Sequence, residues 1–196
     1  MEEISAQHVP VSVIVPVFNS RPYLEKCVSS LFDQTLKGIE YIFMDDASDD
    51  GSLDELCSVV ERYKRDDIRV IIEHFDSRQG QANLRRRAKQ ISSGDYIYHC
   101  DSDDWIEPDL ISEMFNVAVA GDCDIVTCDL KYIFEDGSSR TWEQNSLSAR
   151  DLCSGIIRAQ YTGSLCNKLI RREILLKRIW ERIGRVAFSM RSFRIR

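Results

Sequence analysis

The stretch VSVIVPVFNSRPYLEKCVSSLFDQTL, residues 11–36, decides the fold. Its first eight residues are apolar apart from Ser12 and mostly β-branched, with no polar alternation, which reads as a strand buried on both faces. The remainder changes period. Leu24, Cys27, Val28, Leu31 and Phe32 recur at three- and four-residue spacing, so an amphipathic helix follows, with Ser20 as its expected N-cap. A strand buried on both faces and followed at once by a helix is the opening of a parallel sheet.

Working outward, the alternation continues. EYIFMD (40–45) is a second apolar strand, and DDASDDGS (45–52) is a loop by composition. Ser52 and Glu55 have capping-box spacing and open a helix to about Lys64, with Leu53, Leu56, Cys57 and Val60 expected inward. IRVIIE (68–73), a helix in QGQANLRRRAKQISSG (79–94) stopped at Gly94, and DYIYHC (95–100) complete a β-α-β-α-β-α-β order. Beyond residue 105, PDLISEMFNVAVAG reads as a helix. DIVTCDLKYIFEDGSSRTW reads as two strands turning at Asp136-Gly137. SARDLCSGIIRA and NKLIRREILLKRIWERI read as helices. The expected class is therefore α/β: a Rossmann-like, mostly parallel sheet with helices on both faces. Residues 1–105 form one half and 106–196 a second, within one compact unit.

In parallel sheets, ligands bind beyond the carboxyl ends of the strands. Three polar loops fall there: NSR after the first strand, DDASDDGS after the second and DSDD (101–104) after the fourth. This places Asn19, Asp45, Asp46 and the Asp101–Asp104 cluster around one crevice. Three carboxylates in four positions repel one another unless something offsets the charge. Hard oxygen donors suit Mg²⁺ or Mn²⁺, and Mg²⁺ takes one or two carboxylates plus substrate phosphates. On an extended segment Asp101 and Asp103 would share one side and Asp104 the other. A solvated acidic loop, or an N-cap for the helix near Pro108, explains the same residues without a metal. A calcium loop does not: counting from Asp101, position six is Ile106 and position twelve Ser112, where Gly and Glu are required.

Bulk properties exclude other classes. The 196 residues carry a net charge of −6, yet residues 168–196 alone hold ten of the 26 basic and two of the 32 acidic side chains. The acidic body argues against nucleic-acid binding. The basic tail is expected at the periphery, as a contact for anionic lipid, a peripheral helix or a disordered end. The seven Cys are scattered without CxxC pairs and read as buried thiols in a reducing compartment. No G-x-G-x-x-G follows the first strand, which disfavours a dinucleotide oxidoreductase. A cytoplasmic location, with the inner face of the membrane as the site of peripheral contact, is the expectation; a homodimer is compatible with it. His99 reads as a structural histidine in a buried strand, and Trp105 as either sugar-side wall or core.

VSVIVPVFN, QT (34–35), MDDASDDGS, GDYIYHCDSDDW and NKLIRRE occur in this order, and with them the chain resembles family 2 glycosyltransferases of the A-type fold over residues 11–175. The resemblance implies inverting transfer from a nucleotide-sugar donor, a UDP-sugar, to a glycan or lipid-linked acceptor, with Mn²⁺ or Mg²⁺ as cofactor. By position it implies Pro16, Val17 and Asn19 at the uracil and ribose pocket and Asp46 as acceptor of the uracil imide hydrogen. Arg78, Gly80 and Arg85 would close over the nucleotide, with Asp101 on the ribose side and Asp103 on the metal.

Two departures follow. Arg86 and Ala88 replace an Asn and a Gly of the family segment, so Arg85–Arg87 form a basic triplet facing the crevice. The acidic pair that supplies the family's general base is replaced by Arg185 and Val186. Asp104 and Glu181 are the carboxylates that remain as candidates. Truncation or a frame shift, lost catalysis, or a partner that completes the site are the three expected explanations, the first favoured. The alternative to an active transferase is a catalytically impaired nucleotide-binding domain.

Overall fold

The computed structural model describes residues 8–134, 136–143 and 164–176, and residues 186–195 as backbone. β1 (Val11–Val17), α1 (Leu24–Phe32), β2 (Glu40–Asp45), α2 (Ser52–Tyr63), β3 (Arg69–His74), α3 (Gln81–Ile91) and β4 (Tyr96–His99) follow the expected alternation. Then come β5 (Trp105–Ile106), α4 (Leu110–Ala120), β6 (Ile125–Ile133), β7 (Ser139–Trp142), β8 (Lys168–Arg171), α5 (Arg172–Leu176) and β9 (Val186–Ile195).

All strands join one sheet in the order β3-β2-β1-β4-β8-β6-β9-β5, with β7 paired to β6. β1 is parallel to β2 and β4, and β2 to β3. β8 runs antiparallel between β4 and β6, while β9 runs parallel to β6. Six strands, β1–β4, β6 and β9, thus point the same way.

The two faces of the sheet explain the continuous apolar strands. Val11, Val13, Val15 and Val17 of β1, with Tyr41 and Phe43 of β2 and Tyr96 and Tyr98 of β4, pack under α1, α2 and α4. The alternate residues Ile14, Ile42, Met44 and Ile97 meet Leu84 and Ala88 of α3 on the other face. Burial of this kind contributes about 1.5–3 kcal/mol for each large aliphatic or aromatic side chain. At the N-terminal edge, buried Glu40 accepts hydrogen bonds from Ser12 Oγ (2.6 Å), Ser93 N (2.9 Å) and Ser93 Oγ (2.7 Å). It ties β1, β2 and the α3–β4 turn together.

Several expectations are corrected. Ser20 does not cap α1, which begins after Tyr23. Residues 21–23 form a turn first, and the Ser20 hydroxyl bonds Ser102 Oγ at 2.6 Å instead. No capping box opens α2, whose N-cap is Gly51 at φ 84°. Ser52 Oγ donates to Asp50 at 2.5 Å and Glu55 pairs with Arg21 at 4.0 Å. Cys57 is exposed and Val59 takes the inward position.

NKLIRRE does not begin as a helix. Lys168–Arg171 is a strand, since the unpaired edge of β4 and that of β6 both need backbone partners. The basic tail is neither a peripheral helix nor a disordered end over 186–195, where it pairs with β6 and β5. The expected helix in SARDLCSGIIRA lies outside the described residues, as do Glu181 and Arg185. The hairpin turning at Asp136-Gly137 is present as β6–β7, with Gly137 at φ 80°.

Candidate active site

The cleft opens where topology places it, beyond the carboxyl ends of β1, β2 and β4. It encloses about 360 Å³ and is lined by residues of the three predicted loops and of α3. Pro16, Val17, Asp46, Arg78, Asp101 and Asp103, all singled out from sequence, line it. A larger groove of about 620 Å³ lies at the opposite strand ends, beside Tyr96 and Arg171. Arg171 is already paired there with Asp122 (2.9 Å) and Asp124 (3.2 Å). The smaller cleft is the better candidate, because it gathers the carboxylates at the strand ends where parallel sheets bind ligands.

Asp46 anchors one side. Its carboxylate is buried and accepts three hydrogen bonds: from Arg78 Nε (3.0 Å), Gln79 N (2.5 Å) and Gly80 N (3.0 Å). Gly80 holds φ 81°, a left-handed value open to glycine at little cost, and so turns the chain into α3. The Arg78 guanidinium lies 3.3 Å over the Phe18 ring, making a flat cationic wall.

Asn19 takes a different place. At φ 47° it exchanges hydrogen bonds with Asp49 (2.8 and 3.1 Å) and receives support from Ser48. It fixes the two loops to each other. Asp45 is fully buried and holds Ser48 Oγ (2.5 Å) and His74 Nδ1 (2.7 Å).

Asp101 anchors the other side. Its Oδ1 accepts from Arg85 (2.6 Å) and Gln81 (3.1 Å), and its Oδ2 from Cys166 Sγ (3.2 Å). Asp103 is exposed and makes no hydrogen bond or ion pair to any described residue. That freedom, together with its oxygen donors, fits a hard dication carried in with substrate phosphates.

The 101–104 segment is a turn, closed by Asp104 N donating to Asp101 O at 3.1 Å, not an extended run. Asp104 is therefore buried and lies with Asp101, within 4.8 Å, rather than on the far side. Of the basic triplet, Arg85 faces the cleft carboxylate, Arg87 pairs with Glu73 at 3.0 Å, and Arg86 is exposed.

Burial sets the electrostatics of the floor. The His99 pKa is pushed down to about 3 by burial and by the Arg85 and Lys89 charges, so the ring is neutral. Among the described residues its Nδ1 and the Arg85 Nε are buried without hydrogen-bond partners. Burial, then the Asp101 charge, pushes the Cys166 thiol well above the usual range. Burial lowers Lys168 to about 8.

Sequence reasoning missed Phe18, Ser20, Gln81 and Ser102 as cleft residues and Cys166 as the partner of Asp101. Phe18 and Gln81 directly adjoin named positions, which was a usable signal. Nothing local marked Cys166.

A mixed, mostly parallel α/β sheet with an acidic cleft at its strand ends fits the A-type glycosyltransferase fold. The fold matches Staphylococcus aureus TarS 1–349, solved in complex with UDP-GlcNAc, at TM-score 0.74 and 21% identity, over 95% of this chain and 58% of that one. It also matches the mannosyltransferase PcManGT of Pyrobaculum calidifontis, solved with GDP-Man and Mn²⁺, at TM-score 0.64 and 16% identity, over 97% and 57% of the two chains.

Residues 12–192 match the glycosyl transferase family 2 model, and the chain belongs to that family. Among its relatives, the putative glycosyltransferase EpsH of Bacillus subtilis is 31% identical over 170 residues, 84% of this chain and 48% of its own length. The cholesterol galactosyltransferase of Borreliella burgdorferi is 30% identical over 193 residues, 90% and 52% respectively. The chain spans about half the length of these curated relatives. No helix among the described residues is long and apolar enough to cross a membrane.

Proposed function

We propose that the chain is a metal-dependent glycosyltransferase that moves a sugar from a UDP-sugar to a glycan or lipid-linked acceptor with inversion. One observation carries the reading: Asp46 and the Asp101–Asp103 turn stand on opposite sides of a single cleft. An ionised carboxylate is acceptor-only, so Asp46 suits a base that presents an imide N–H. The Phe18 ring beside it offers a stacking surface. Ligand entry here exchanges part of the Asp46 bonding to residues 78–80 for bonding to the base.

On the opposite side Arg85 holds Asp101 by a charge-assisted bond and fixes the carboxylate that would meet the ribose. Asp103 would hold Mn²⁺ or Mg²⁺, which when bound stabilises the charge of the departing diphosphate. The sterol named for the Borreliella relative and the UDP-GlcNAc bound by TarS support a lipid-type acceptor and a UDP-type donor.

Asp104, buried beside the cleft, and Glu181, outside the described residues, are the two candidates for the general base. A second reading, a nucleotide-binding domain without turnover, draws on Val186, which opens strand β9 where the family places an acidic pair.

Calorimetric titration of UDP with and without Mn²⁺, with Asp103→Ala as control, tests the donor side. Metal-dependent binding lost in the variant supports it, and no binding under any metal refutes it. Product formation over a panel of donors and acceptors then separates the two readings.

A further inference from the structure

Beside the cleft three metal-type donor atoms stand together, two of them on Asp101 and Asp104 of the turn after β4 and the third on Cys166, which the donor site does not use. A carboxylate oxygen of Asp101, one of Asp104 and the Cys166 sulfur all lie within 4.8 Å of one another. The sulfur is 3.2 Å from Asp101 Oδ2. Asp101 and Asp104 come from the turn after β4, and Cys166 from the segment before β8. The antiparallel register of Tyr98 with Leu169 joins these distant pieces of chain.

Asp104 and Cys166 are 3% and 2% exposed, while the Asp101 side chain borders the cleft and is 34% exposed. The two Asp101 oxygens are divided: Oδ1 is held by Arg85 and Gln81, and Oδ2 is turned to the sulfur.

We propose that Asp101, Asp104 and Cys166 form a binding site for a thiophilic divalent cation of the zinc class, with a ligand set distinct from the Asp103 carboxylate. A thiolate is a soft ligand and selects Zn²⁺ or Cd²⁺ over Mg²⁺ and Mn²⁺. Zinc bonds of ~2.3 Å to sulfur and ~2.0–2.2 Å to oxygen set tetrahedral donor separations near ~3.5 Å. The sulfur–Oδ2 pair, at 3.2 Å, is close to this spacing, and the Asp104 oxygen, within 4.8 Å of the sulfur and of an Asp101 oxygen, would move inward to close the set. Three protein ligands leave a fourth position, which opens through Asp101 to the cleft. The Cys166 proton leaves to solvent as the metal binds, so affinity rises with pH. The proposal stands on this geometry; it shares Asp101 and Asp104 with the sugar-transfer reading, and Cys166, which that reading does not use, tells the two apart.

The test is titration of Cd²⁺ into the reduced full chain, followed by the ultraviolet sulfur-to-cadmium charge-transfer band, then displacement by Zn²⁺. One equivalent of Cd²⁺ is expected to develop the band, with Zn²⁺ displacing it and a hundredfold excess of Mg²⁺ not doing so. Cys166→Ser abolishes the band, Asp104→Asn weakens binding at least about tenfold, and Asp103→Asn and Cys57→Ser leave it unchanged. Absence of a band in the unaltered chain overturns the proposal, as does a band that survives Cys166→Ser. Should Cys166→Ser fail to fold, as judged by circular dichroism, Asp104→Asn decides: unchanged affinity there overturns the proposal as well.

Discussion

Arg85 of α3 donates to Asp101 Oδ1 at 2.6 Å, and this bond couples the helix after the Gly80 turn to the loop after β4. The Arg85 side chain is only 18% exposed. Its position depends on the packing of Leu84 and Ala88 against the sheet, so core burial and the aim of a cleft carboxylate are one structural fact.

Arg85→Ala is expected to lower stability by about 1–3 kcal/mol, because it removes a charge-assisted, part-buried bond. It is also expected to weaken UDP binding. Arg85→Lys should recover part of the stability and less of the binding, since an ammonium cannot reproduce the planar fork. Urea unfolding and calorimetric titration of the three proteins measure both effects.

Asp46→Asn keeps the shape but leaves one carbonyl oxygen to serve Arg78 Nε and the amides of Gln79 and Gly80. Nucleotide affinity is expected to fall about 10–100-fold, the worth of roughly one to two charge-assisted hydrogen bonds. Phe18→Leu, which removes the ring under Arg78, should fall less. Equal affinity of Asp46→Asn and the unaltered chain would remove Asp46 from the binding site.

Acid should destabilise the fold through His99. Its folded pKa of about 3 lies below the usual 6.5. Between those values the unfolded chain binds a proton that the folded chain refuses, so stability falls as pH drops, by at most about 1.4 kcal/mol per unit from this group. His99→Leu removes that contribution and also the orphaned Nδ1. Urea midpoints from pH 7 to pH 4 should therefore decline less steeply in the variant. Parallel declines would show that His99 is not the group responsible.

Gly94→Ala probes the opposite end of β1. An added Cβ would stand 2.4 Å from Ser12 N and 2.7 Å from Ser12 Oγ. Backbone cannot yield as a flexible side chain does, so a loss of about 1–3 kcal/mol is expected in denaturant unfolding. The shift should not alter UDP affinity beyond what global unfolding explains, because the clash lies at the strand ends away from the cleft.

The first hundred residues were legible because each signal is local. Val11–Val17 is apolar at every position but Ser12 and Leu24–Phe32 keeps a helical period, so element type follows from neighbours a few positions apart. The same locality exposed the cleft: the carboxyl ends of β1, β2 and β4 carry the polar loops, whatever the details of packing. Where the reading failed, the deciding partner was distant. Lys168–Arg171 has four residues and two basic ends, and it becomes a strand because β4 and β6 offer it edges on either side. Val186–Ile195 is drawn in likewise, along β6.

By itself, then, the sequence determined the parallel α/β frame, the end of the sheet that holds the cleft, and the acids Asp46, Asp101 and Asp103 that line it. Only the tertiary structure decided how those acids are held. Asp104 turns inward because the 101–104 segment closes on itself, and Cys166 reaches Asp101 from 65 positions away because β8 pairs with β4. Periodicity and composition report a residue's neighbours along the chain, whereas the aim of a carboxylate is set by donors that the fold brings from elsewhere.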